Sequence, residues 1–323
     1  MIRAAAERLK GHARRTPLLS SPFIDEIAGR RVFVKPECLQ HTGSFKYRGG
    51  RSALSALNDA TRAKGVIAYS SGNHAQGVAR AAAEYGVPSV IVMPADAPKL
   101  KIDNTCAIGA EVVLYDRAGG ESREQVGEAI VAERGMTLIK PYDEPQVIAG
   151  QGTCGLEIAE QAGEEGIEKA EVLVCCGGGG FTSGIAMALE ADAPGMRVRP
   201  VEPEGFDDVK RSLISGHRET NNQPTGNICD AILTPAPGEI TFPILQRLCG
   251  PGIAVSEDDA LRAMGVAFQR LKVVAEPGGA VALAAAFYHD DQIEGDTVIC
   301  TISGGNVDAE IFRRALDTLD DVS

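Results

Sequence analysis

Short apolar runs rich in β-branched residues alternate along the chain with longer Ala-rich segments that have helical spacing. Strands of parallel sheets that are covered on both faces read as continuous apolar runs of this kind. The alternation therefore predicts an α/β fold in which mostly parallel sheets are flanked by helices. The candidate strands cover residues 31–37, 65–71, 89–94, 111–116, 137–142, 171–177, 197–204 and 297–305.

The chain of 323 residues is long enough for two domains, each with its own core. The strand–helix units between about residues 65 and 142 can form a compact insertion, and the remaining chain can build a larger sheet. We predict a small domain of residues 61–142, inserted into a large domain made of residues 1–60 and 143–323.

Charge and hydropathy exclude several classes of partner. The net charge of −12 repels phosphate backbones and anionic lipids, so we expect neither nucleic acid nor membrane as a partner. No apolar run approaches the roughly 18 residues of a membrane helix, and the N-terminus has no signal-like apolar segment, which predicts a cytoplasmic protein. None of the eight cysteines forms a CxxC pair, so we expect reduced thiols in the core.

Four glycine-rich turns follow candidate strands, and each is a candidate ligand site. Ligands of open α/β sheets bind beyond the carboxyl ends of the strands. The turns read HTGSFKYRGG (41–50), SSGNHAQGVA (70–79), CGGGGFTSG (176–184) and TISGGN (301–306).

The first two turns carry groups with specific chemistry. The amine of Lys46 can form a Schiff base with an aldehyde cofactor if burial or charge lowers its pKa, although most loop lysines are simply solvated. Ser70, Ser71 and Gly72 lead into a helix that begins near His74. Backbone N–H groups at such a helix start bind carboxylate or phosphate, but serine there also serves as an ordinary helix cap.

The third turn is distinct from the common nucleotide motifs. It lacks the Gly-Lys-Ser/Thr of a P-loop, and the third glycine of the dinucleotide fingerprint falls on Ser183. Glu202 ends the next strand about 20 residues on, where a ribose-binding carboxylate would lie. A dinucleotide site therefore stays open as a minor alternative.

Taken together, GSFKYRGG, SSGNHAQG, AGQGT (149–153), CGGGG, VEPEGFDD and SGGN resemble the fold type II pyridoxal-phosphate family, in particular the threonine and serine dehydratases and serine racemase. The resemblance runs from about Arg15 to residue 315, in the order of the family. It implies two open, twisted, mostly parallel sheets in a large and a small domain, and a homodimer.

The resemblance also implies a role for each motif. Lys46 would form the Schiff base with pyridoxal phosphate, Phe45 would pack beside its ring, and Asn73 would bond its 3-oxygen. The phosphate would lie on Gly177, Gly178, Gly179 and Gly180, and Ser303 would bond the pyridine nitrogen. The substrate carboxylate would bind the turn of Ser70, Ser71, Gly72 and His74.

The acidic stretch VEPEGFDD (201–208) resembles the divalent cation site of the family. Its ligands would be Glu202, the carbonyl oxygen of Phe206 and Asp208. Ligation by oxygen alone suits magnesium, manganese or calcium. A solvated acidic loop is the alternative.

The implied activity is the elimination of water from a β-hydroxy amino acid, which yields a 2-oxo acid and ammonia. The substrate would be threonine or serine, or a relative such as 3-hydroxyaspartate or a bulkier 3-hydroxy amino acid. A neutral Ser303 hydroxyl does not keep the ring nitrogen protonated, so the cofactor is a weaker electron sink and prompt loss of the β-hydroxyl is favoured. A nucleotide-dependent oxidoreductase and a non-catalytic binding module are the competing classes, and the absorption spectrum of the purified protein separates them from a Schiff-base enzyme.

Departures from the family limit the substrate prediction. Ala231 replaces the usual glycine near the substrate pocket, and Tyr142 replaces an asparagine that contacts the cofactor in serine racemase. Arg123, by contrast, aligns with an arginine of serine racemase that approaches the substrate carboxylate. It could instead bind a second carboxylate, which suits 3-hydroxyaspartate, or be a surface residue. Ser71 stands where serine racemase has its second base, so an amino-acid racemase with dehydratase side activity is the alternative function.

Overall fold

The computed structural model describes residues 1–70, 72–97, 99–116 and 119–319. Within these ranges the strands are β1 (Leu19–Ser20), β2 (Arg31–Pro36), β3 (Val66–Tyr69), β4 (Ser89–Pro94), β5 (Glu111–Tyr115), β6 (Thr137–Leu138), β7 (Ala170–Cys175), β8 (Met196–Pro203), β9 (Ile253–Val255) and β10 (Thr297–Ile302). The α-helices are α1 (Ile2–Leu9), α2 (Pro22–Ala28), α3 (Lys46–Ala56), α4 (Asp59–Ala63), α5 (Asn73–Tyr85), α6 (Lys99–Ala107), α7 (Arg123–Arg134), α8 (Pro145–Glu164), α9 (Gly180–Asp192), α10 (Asp208–Ser215), α11 (Thr241–Leu248), α12 (Glu257–Val266), α13 (Pro277–Tyr288) and α14 (Ala309–Asp317). Across the described ranges, no helix is long and apolar enough to span a membrane.

The strands form two sheets. The larger has the order β1-β2-β10-β7-β8-β9 and is parallel except for β1, which pairs antiparallel with β2. The smaller is parallel throughout, with the order β5-β4-β3-β6. The predicted α/β architecture with mostly parallel sheets is confirmed.

Both faces of the larger sheet are buried, as the continuous apolar runs predict. One face of β7 and β10 packs with residues of α12 and α13, and the other face packs with residues of α8 and α9. The smaller sheet is covered in the same way, by α5 on one face and α7 on the other.

The structure differs from the predicted elements in three places. The segment 137–142 pairs only over Thr137–Leu138, because Pro141 has no N–H to continue the ladder. The unpredicted strands β1 and β9 are short edge strands of the larger sheet. The predicted turn 41–50 ends in helix α3, which begins at Lys46, and the AGQGT motif lies inside α8. All strands of the smaller sheet fall between residues 66 and 138, and the domain boundaries at 61 and 142 stay a prediction.

Helix α3, which begins at Lys46, packs against α5 and α8 at backbone distance. A Cβ atom on Gly77 of α5 would lie 2.8 Å from the backbone carbon of Lys46. A Cβ atom on Gly150 of α8 would collide with the carbonyl oxygen of Arg48. These glycines are therefore required for close approach of the helices, which fixes the position of Lys46 from two sides.

A buried group of charged side chains holds α3 to β2 and α8. The guanidinium of Arg48 pairs with Glu37 (Nε–Oε2 2.7 Å) and with Glu157 (Nη1–Oε1 2.6 Å), and Lys35 Nζ lies 2.6 Å from Glu157 Oε2. Thr16 donates its hydroxyl to Glu37. Burial raises the pKa of Glu37, but the Arg48 guanidinium outweighs it and the pKa lies below its ordinary value. We call Lys35, Glu37, Arg48 and Glu157 the buried ion network.

Replacing Arg48 with Ala should destabilise the fold strongly, because Glu37 would stay buried without a cation. Breaking a buried pair in this way costs about 3–5 kcal/mol in the free energy of unfolding. Urea unfolding of the wild type and the variant measures the loss. The control is Arg15→Ala, whose exposed guanidinium pairs with Glu160 and Glu164 and should matter little. Equal effects of the two substitutions would contradict this role of the network.

Candidate active site

A cavity of about 270 Å³ lies where the turns after β2 and β3 meet. It is lined by eight of the residues that the sequence singles out: Lys46, Ser70, Gly72, Asn73, His74, Arg123, Tyr142 and Ala231. Two turns that are well separated in the sequence therefore contribute to one site at the carboxyl ends of parallel strands.

Lys46 is the first residue of α3, and its amine faces this cavity. Its Nζ donates a hydrogen bond of 2.9 Å to the carbonyl oxygen of Pro141. Burial lowers the pKa of the amine to about 8, although the charge of Glu276 acts in the opposite direction. About a tenth of the amine is therefore unprotonated at pH 7, far more than for an ordinary lysine, and this form is able to act as a nucleophile or a base.

Phe45 precedes Lys46 and packs under it. The Phe45 ring stacks on that of Phe181, with ring centroids 4.0 Å apart, and Lys46 Nζ lies 5.1 Å from the Phe45 centroid. Both aromatic side chains are buried, so they form a firm apolar floor beside the amine.

The glycine loop after β7 presents unpaired backbone donors. In the described structure, no protein acceptor takes the N–H groups of Gly177, Gly178 and Gly179, and α9 begins at Gly180. Gly179 has φ of 89°, a conformation that favours glycine. A space of about 40 Å³ beside the loop is lined by Phe45, Lys46 and the glycines. Free N–H groups at a helix start make this space suitable for an anion such as phosphate.

The turn after β3 is built around helix α5. The Ser70 hydroxyl accepts a hydrogen bond of 3.1 Å from the N–H of Gly72, and α5 begins at Asn73. His74 is buried, and its Nε2 lies 2.8 Å from the carbonyl oxygen of Ile139. Burial, together with the charge of Lys46, lowers the pKa of His74 to about 3, so the ring is neutral. The predicted site residue Ser71 lies outside the described residues.

Ser303 follows β10 and lies beside the lysine turn. Its carbonyl oxygen accepts a hydrogen bond from the N–H of Phe45, and its own N–H donates to Gly279. Ser44 and Gly304 form an isolated bridge at the same point. Ser303 is thereby joined to the segment that carries Lys46, although 257 positions separate the two residues in the sequence.

A family model described as pyridoxal-phosphate dependent enzyme matches residues 9–304. The chain belongs to this family. The amine at position 46 and the anion-binding loop are the two features that such a cofactor requires, one for its aldehyde and one for its phosphate.

Individual relatives cover almost the whole chain of this pyridoxal-phosphate enzyme. It is 43% identical to an L-threo-3-hydroxyaspartate ammonia-lyase of Pseudomonas sp. over 97% of this chain and 96% of the relative. It is 38% identical to the serine racemase of Schizosaccharomyces pombe over 98% and 96% of the two chains. Among solved structures, a threonine deaminase of T.th. matches with a TM-score of 0.89 and 45% identity, over 95% of this chain and 97% of that chain. The predicted fold type II architecture is confirmed.

The residues present fit pyridoxal phosphate. The unpaired N–H groups of the glycine loop suit its phosphate, and the Lys46 amine suits its aldehyde. Glu202, the acid that a dinucleotide site would need for the ribose, is instead buried and accepts the N–H groups of Val209 and Lys210 at the start of α10. This leaves no free carboxylate at that position for a ribose.

The predicted cation ligands lie together at the start of α10. Glu202 and Asp208 are both buried, and burial raises the pKa of each carboxyl above its ordinary value. Asp208 Oδ1 accepts a hydrogen bond from Asn221, whereas its Oδ2 is buried with no partner among the described residues. In the described part of the chain, no three His, Cys, Asp or Glu side chains are grouped to hold a metal. A cation here would need backbone or water oxygens as well.

The two positions that depart from the family, Tyr142 and Ala231, line the cavity of Lys46, and so does Arg123. The Arg123 guanidinium is about half exposed and pairs with the neighbouring Glu124 at 2.7 Å. The Tyr142 ring covers the glycine loop, and a Cβ atom on Gly178 would overlap it. A larger residue than glycine at 178 is therefore incompatible with this tyrosine.

Several residues of the site were not assigned a role from the sequence. Glu276 and Asn306 line the cavity, and so do Lys101 and Asp230, which form an ion pair of 3.1 Å. Cys175 lines the space beside the glycine loop, and its thiol donates to the carbonyl oxygen of Gly279. Glu276 belongs to the stretch AEPGGA and Asn306 to the motif SGGN, both of which the sequence marks, but the sequence does not show that the two residues are linked. All eight cysteines are free; five of them are buried, as expected for thiols of the core, whereas Cys106 is exposed and Cys38 and Cys249 are partly buried.

His74 should make the fold sensitive to acid. Its pKa is lower in the folded chain than in the unfolded chain, so between about pH 6.5 and 3 only the unfolded chain takes up the proton. Stability should therefore fall with pH through that window, by up to about 1.4 kcal/mol per pH unit from this residue. Urea unfolding at pH 7 and pH 5 should show a smaller loss for His74→Asn than for the wild type. The same loss in both proteins would show that His74 is not the residue responsible.

Proposed function

We propose that the protein is an ammonia-lyase that acts on a β-hydroxy amino acid and releases a 2-oxo acid and ammonia. The observation that carries the proposal is that Lys46 lines two adjoining cavities, one of which is also lined by the glycine loop with its free N–H groups, while the Ser303 segment is bonded to the backbone of Phe45 beside them. Relatives named as ammonia-lyases and deaminases support it.

Pyridoxal phosphate, when bound, supplies an electron sink for the pair left at Cα after proton removal. The protein residues do the rest. The glycine loop would hold the phosphate by its N–H groups, and Phe45 would support the ring. The Lys46 amine, with its pKa of about 8, is suited to take a proton at Nζ and to return it, while Pro141 orients the amine through its carbonyl oxygen.

Replacing Lys46 with Ala should abolish turnover and the visible absorption band of the bound cofactor, because the amine that would hold the aldehyde is removed. Circular dichroism and thermal melting should stay close to those of the wild type, since the Lys46 side chain anchors no part of the core. Asn58→Ala, which only removes a helix cap on α4, is a control that should keep both band and activity. A variant of Lys46 that retains colour and activity would refute the proposal.

The finer proposal is that the substrate is a dicarboxylic amino acid of the 3-hydroxyaspartate type. Arg123 lines the cavity, and its guanidinium pairs with an exposed neighbour, Glu124. Such a guanidinium can bind a carboxylate with paired hydrogen bonds. The name of the Pseudomonas relative agrees with this substrate.

Arg123→Gln should therefore raise KM for L-threo-3-hydroxyaspartate at least tenfold, since a hydrogen bond to a charged group contributes about 1.5–3 kcal/mol. The KM for L-serine and L-threonine should change by less than about threefold. Release of 2-oxo acid and ammonia from the three substrates measures the effect. An equal loss for all three would place Arg123 at the carboxylate that they share.

An amino-acid racemase is the second candidate, and the serine racemase relative favours it. Racemisation needs a second base on the face opposite Lys46, and Ser71 is the predicted residue. Chiral analysis of L-serine incubated with the wild type separates the two candidates, because only a racemase accumulates D-serine.

We also propose that a divalent cation binds Glu202, the Phe206 carbonyl oxygen and Asp208, because Asp208 Oδ2 is buried without a partner among the described residues, beside a second buried carboxyl. Removing the cation would leave these groups to repel each other. A chelator should lower the melting temperature by several degrees, and magnesium, manganese or calcium should restore it. Asp208→Asn should melt at the same temperature with and without chelator. If a chelator leaves the melting temperature of the wild type unchanged, the proposal is wrong and these carboxylates only cap α10.

The homodimer and the cytoplasmic location also stay proposals. Light scattering on the purified protein should give twice the 33.9 kDa of one chain.

A further inference from the structure

Glu276 is a buried acid that lines the cavity of Lys46. It precedes α13, its side chain is buried, and it forms no ion pair with any residue of the described ranges. Its N–H donates to the carbonyl oxygen of Gly304, 3.0 Å away. Burial raises the pKa of this carboxyl to about 8, although a hydrogen bond from Asn73 lowers it. The charges of Lys101 and Lys46 also lower this pKa, but no ion pair with Glu276 is found among the described residues. A buried carboxyl that no cation contacts is costly, and a role in positioning a neighbouring group would account for it.

The carboxyl of Glu276 is the end of a chain of hydrogen bonds that passes through Asn73. Asn306 Nδ2 donates to the carbonyl oxygen of Thr42 (2.8 Å) and to Asn73 Oδ1 (2.7 Å). Asn73 Nδ2 donates to Glu276 Oε1 (2.6 Å). The backbone carbonyl of Thr42 can only accept, so it fixes which way the Asn306 amide points. Asn306 in turn fixes the orientation of the Asn73 amide.

These hydrogen bonds leave one side-chain N–H group of Asn73 without an acceptor among the described residues. The amide has a single oxygen, which Asn306 occupies, and two N–H groups, of which one goes to Glu276. Within the described ranges the second N–H has no protein acceptor, and Asn73 lines the cavity. Without Glu276 and Asn306 the amide could rotate and present its oxygen to the cavity instead.

Glycines in the surrounding backbone leave space for the side chains that form these hydrogen bonds. A Cβ atom on Gly304 would collide with Glu276 Oε1, and a Cβ atom on Gly43 would lie 2.7 Å from Asn306 Oδ1. Thr42 has a positive φ of 60°, which is uncommon for a residue other than glycine. Three separate segments of the chain thus converge on one amide.

We infer that Glu276 is a positioning residue for the bound cofactor, which acts by holding the Asn73 amide with its free N–H toward the 3-oxygen of the cofactor ring. The inference rests on the proposed use of pyridoxal phosphate. It requires only that Glu276 present an oxygen to Asn73, so a glutamine at 276 is able to replace it.

The test is a double-mutant cycle on pyridoxal phosphate binding. Glu276→Ala should weaken binding of the cofactor to the stripped protein about fivefold, the worth of one hydrogen bond of about 1 kcal/mol, and should shift the absorption maximum of the saturated protein. Asn73→Ala should do the same. The double variant should bind no more weakly than Asn73→Ala alone, because Glu276 acts through Asn73.

Two further variants separate position from charge. Glu276→Gln should restore the absorption maximum and bring the affinity to within about twofold of the wild type, since its amide oxygen can accept from Asn73. Asp230→Ala removes another acid from the same cavity that has no contact with Asn73, and its effect should be the same in the presence and absence of Asn73.

The outcomes are distinguishable. A wild type without a cofactor band would refute the proposed function itself. Independent, multiplying losses from Glu276→Ala and Asn73→Ala, or a Glu276→Gln variant as weak as Glu276→Ala, would overturn the role of Glu276 while leaving the cofactor in place. Melting of the stripped variants shows whether any loss comes from the fold.

Discussion

The pairing of Arg48 with Glu37 and Glu157 is the interaction on which the position of the reactive amine depends. Arg48 lies half a turn after Lys46 on the same helix, and its carboxylate partners belong to the end of β2 and to α8. Charge-assisted hydrogen bonds of this kind are directional, and their loss leaves a buried charge. The start of α3 is therefore fixed against both the sheet and the neighbouring helix, and Lys46 is fixed with it.

Close helix packing completes this constraint. Gly77 and Gly150 allow α5 and α8 to approach the backbone of α3, and no larger residue fits at these positions. An amine on a long side chain needs a fixed backbone position if its pKa is to be set by its surroundings, because free rotation would return it to solvent. The buried ion network and the glycine contacts fix that position. The lowered pKa of Lys46 therefore follows from packing far more than from any residue that touches its Nζ.

The sequence predicted the fold well where local pattern decides it. The apolar runs of β2, β4, β7 and β10 are recognisable because burial on both faces removes polar residues from a strand. The sequence pattern did not predict that a helix begins at Lys46 or that AGQGT lies within α8. Glycine opposes helix formation, so only tertiary packing explains the glycines in these helices.

The same division applies to the site. The motifs predicted most of the residues that line the two cavities beside Lys46, because each motif is a short continuous stretch. The hydrogen bonds among Asn306, Asn73 and Glu276 join residues up to 233 positions apart, and a single glutamate before a proline carries no local sign of burial. Arg48 and Glu157 are separated by 109 positions and could not be paired from sequence for the same reason.

The place of β10 in the larger sheet has a consequence for how the protein is made. β10 lies between β2 and β7, so the sheet stays in two pieces until residue 302 has left the ribosome. Until then β2 and β7 each expose an unpaired edge that can join with the wrong strand, and Ser303 is not yet part of the chain. The cofactor cannot meet a finished pocket during synthesis. It can bind only after β10 has paired with β2 and β7, and by binding the native state alone it then favours the late folding steps.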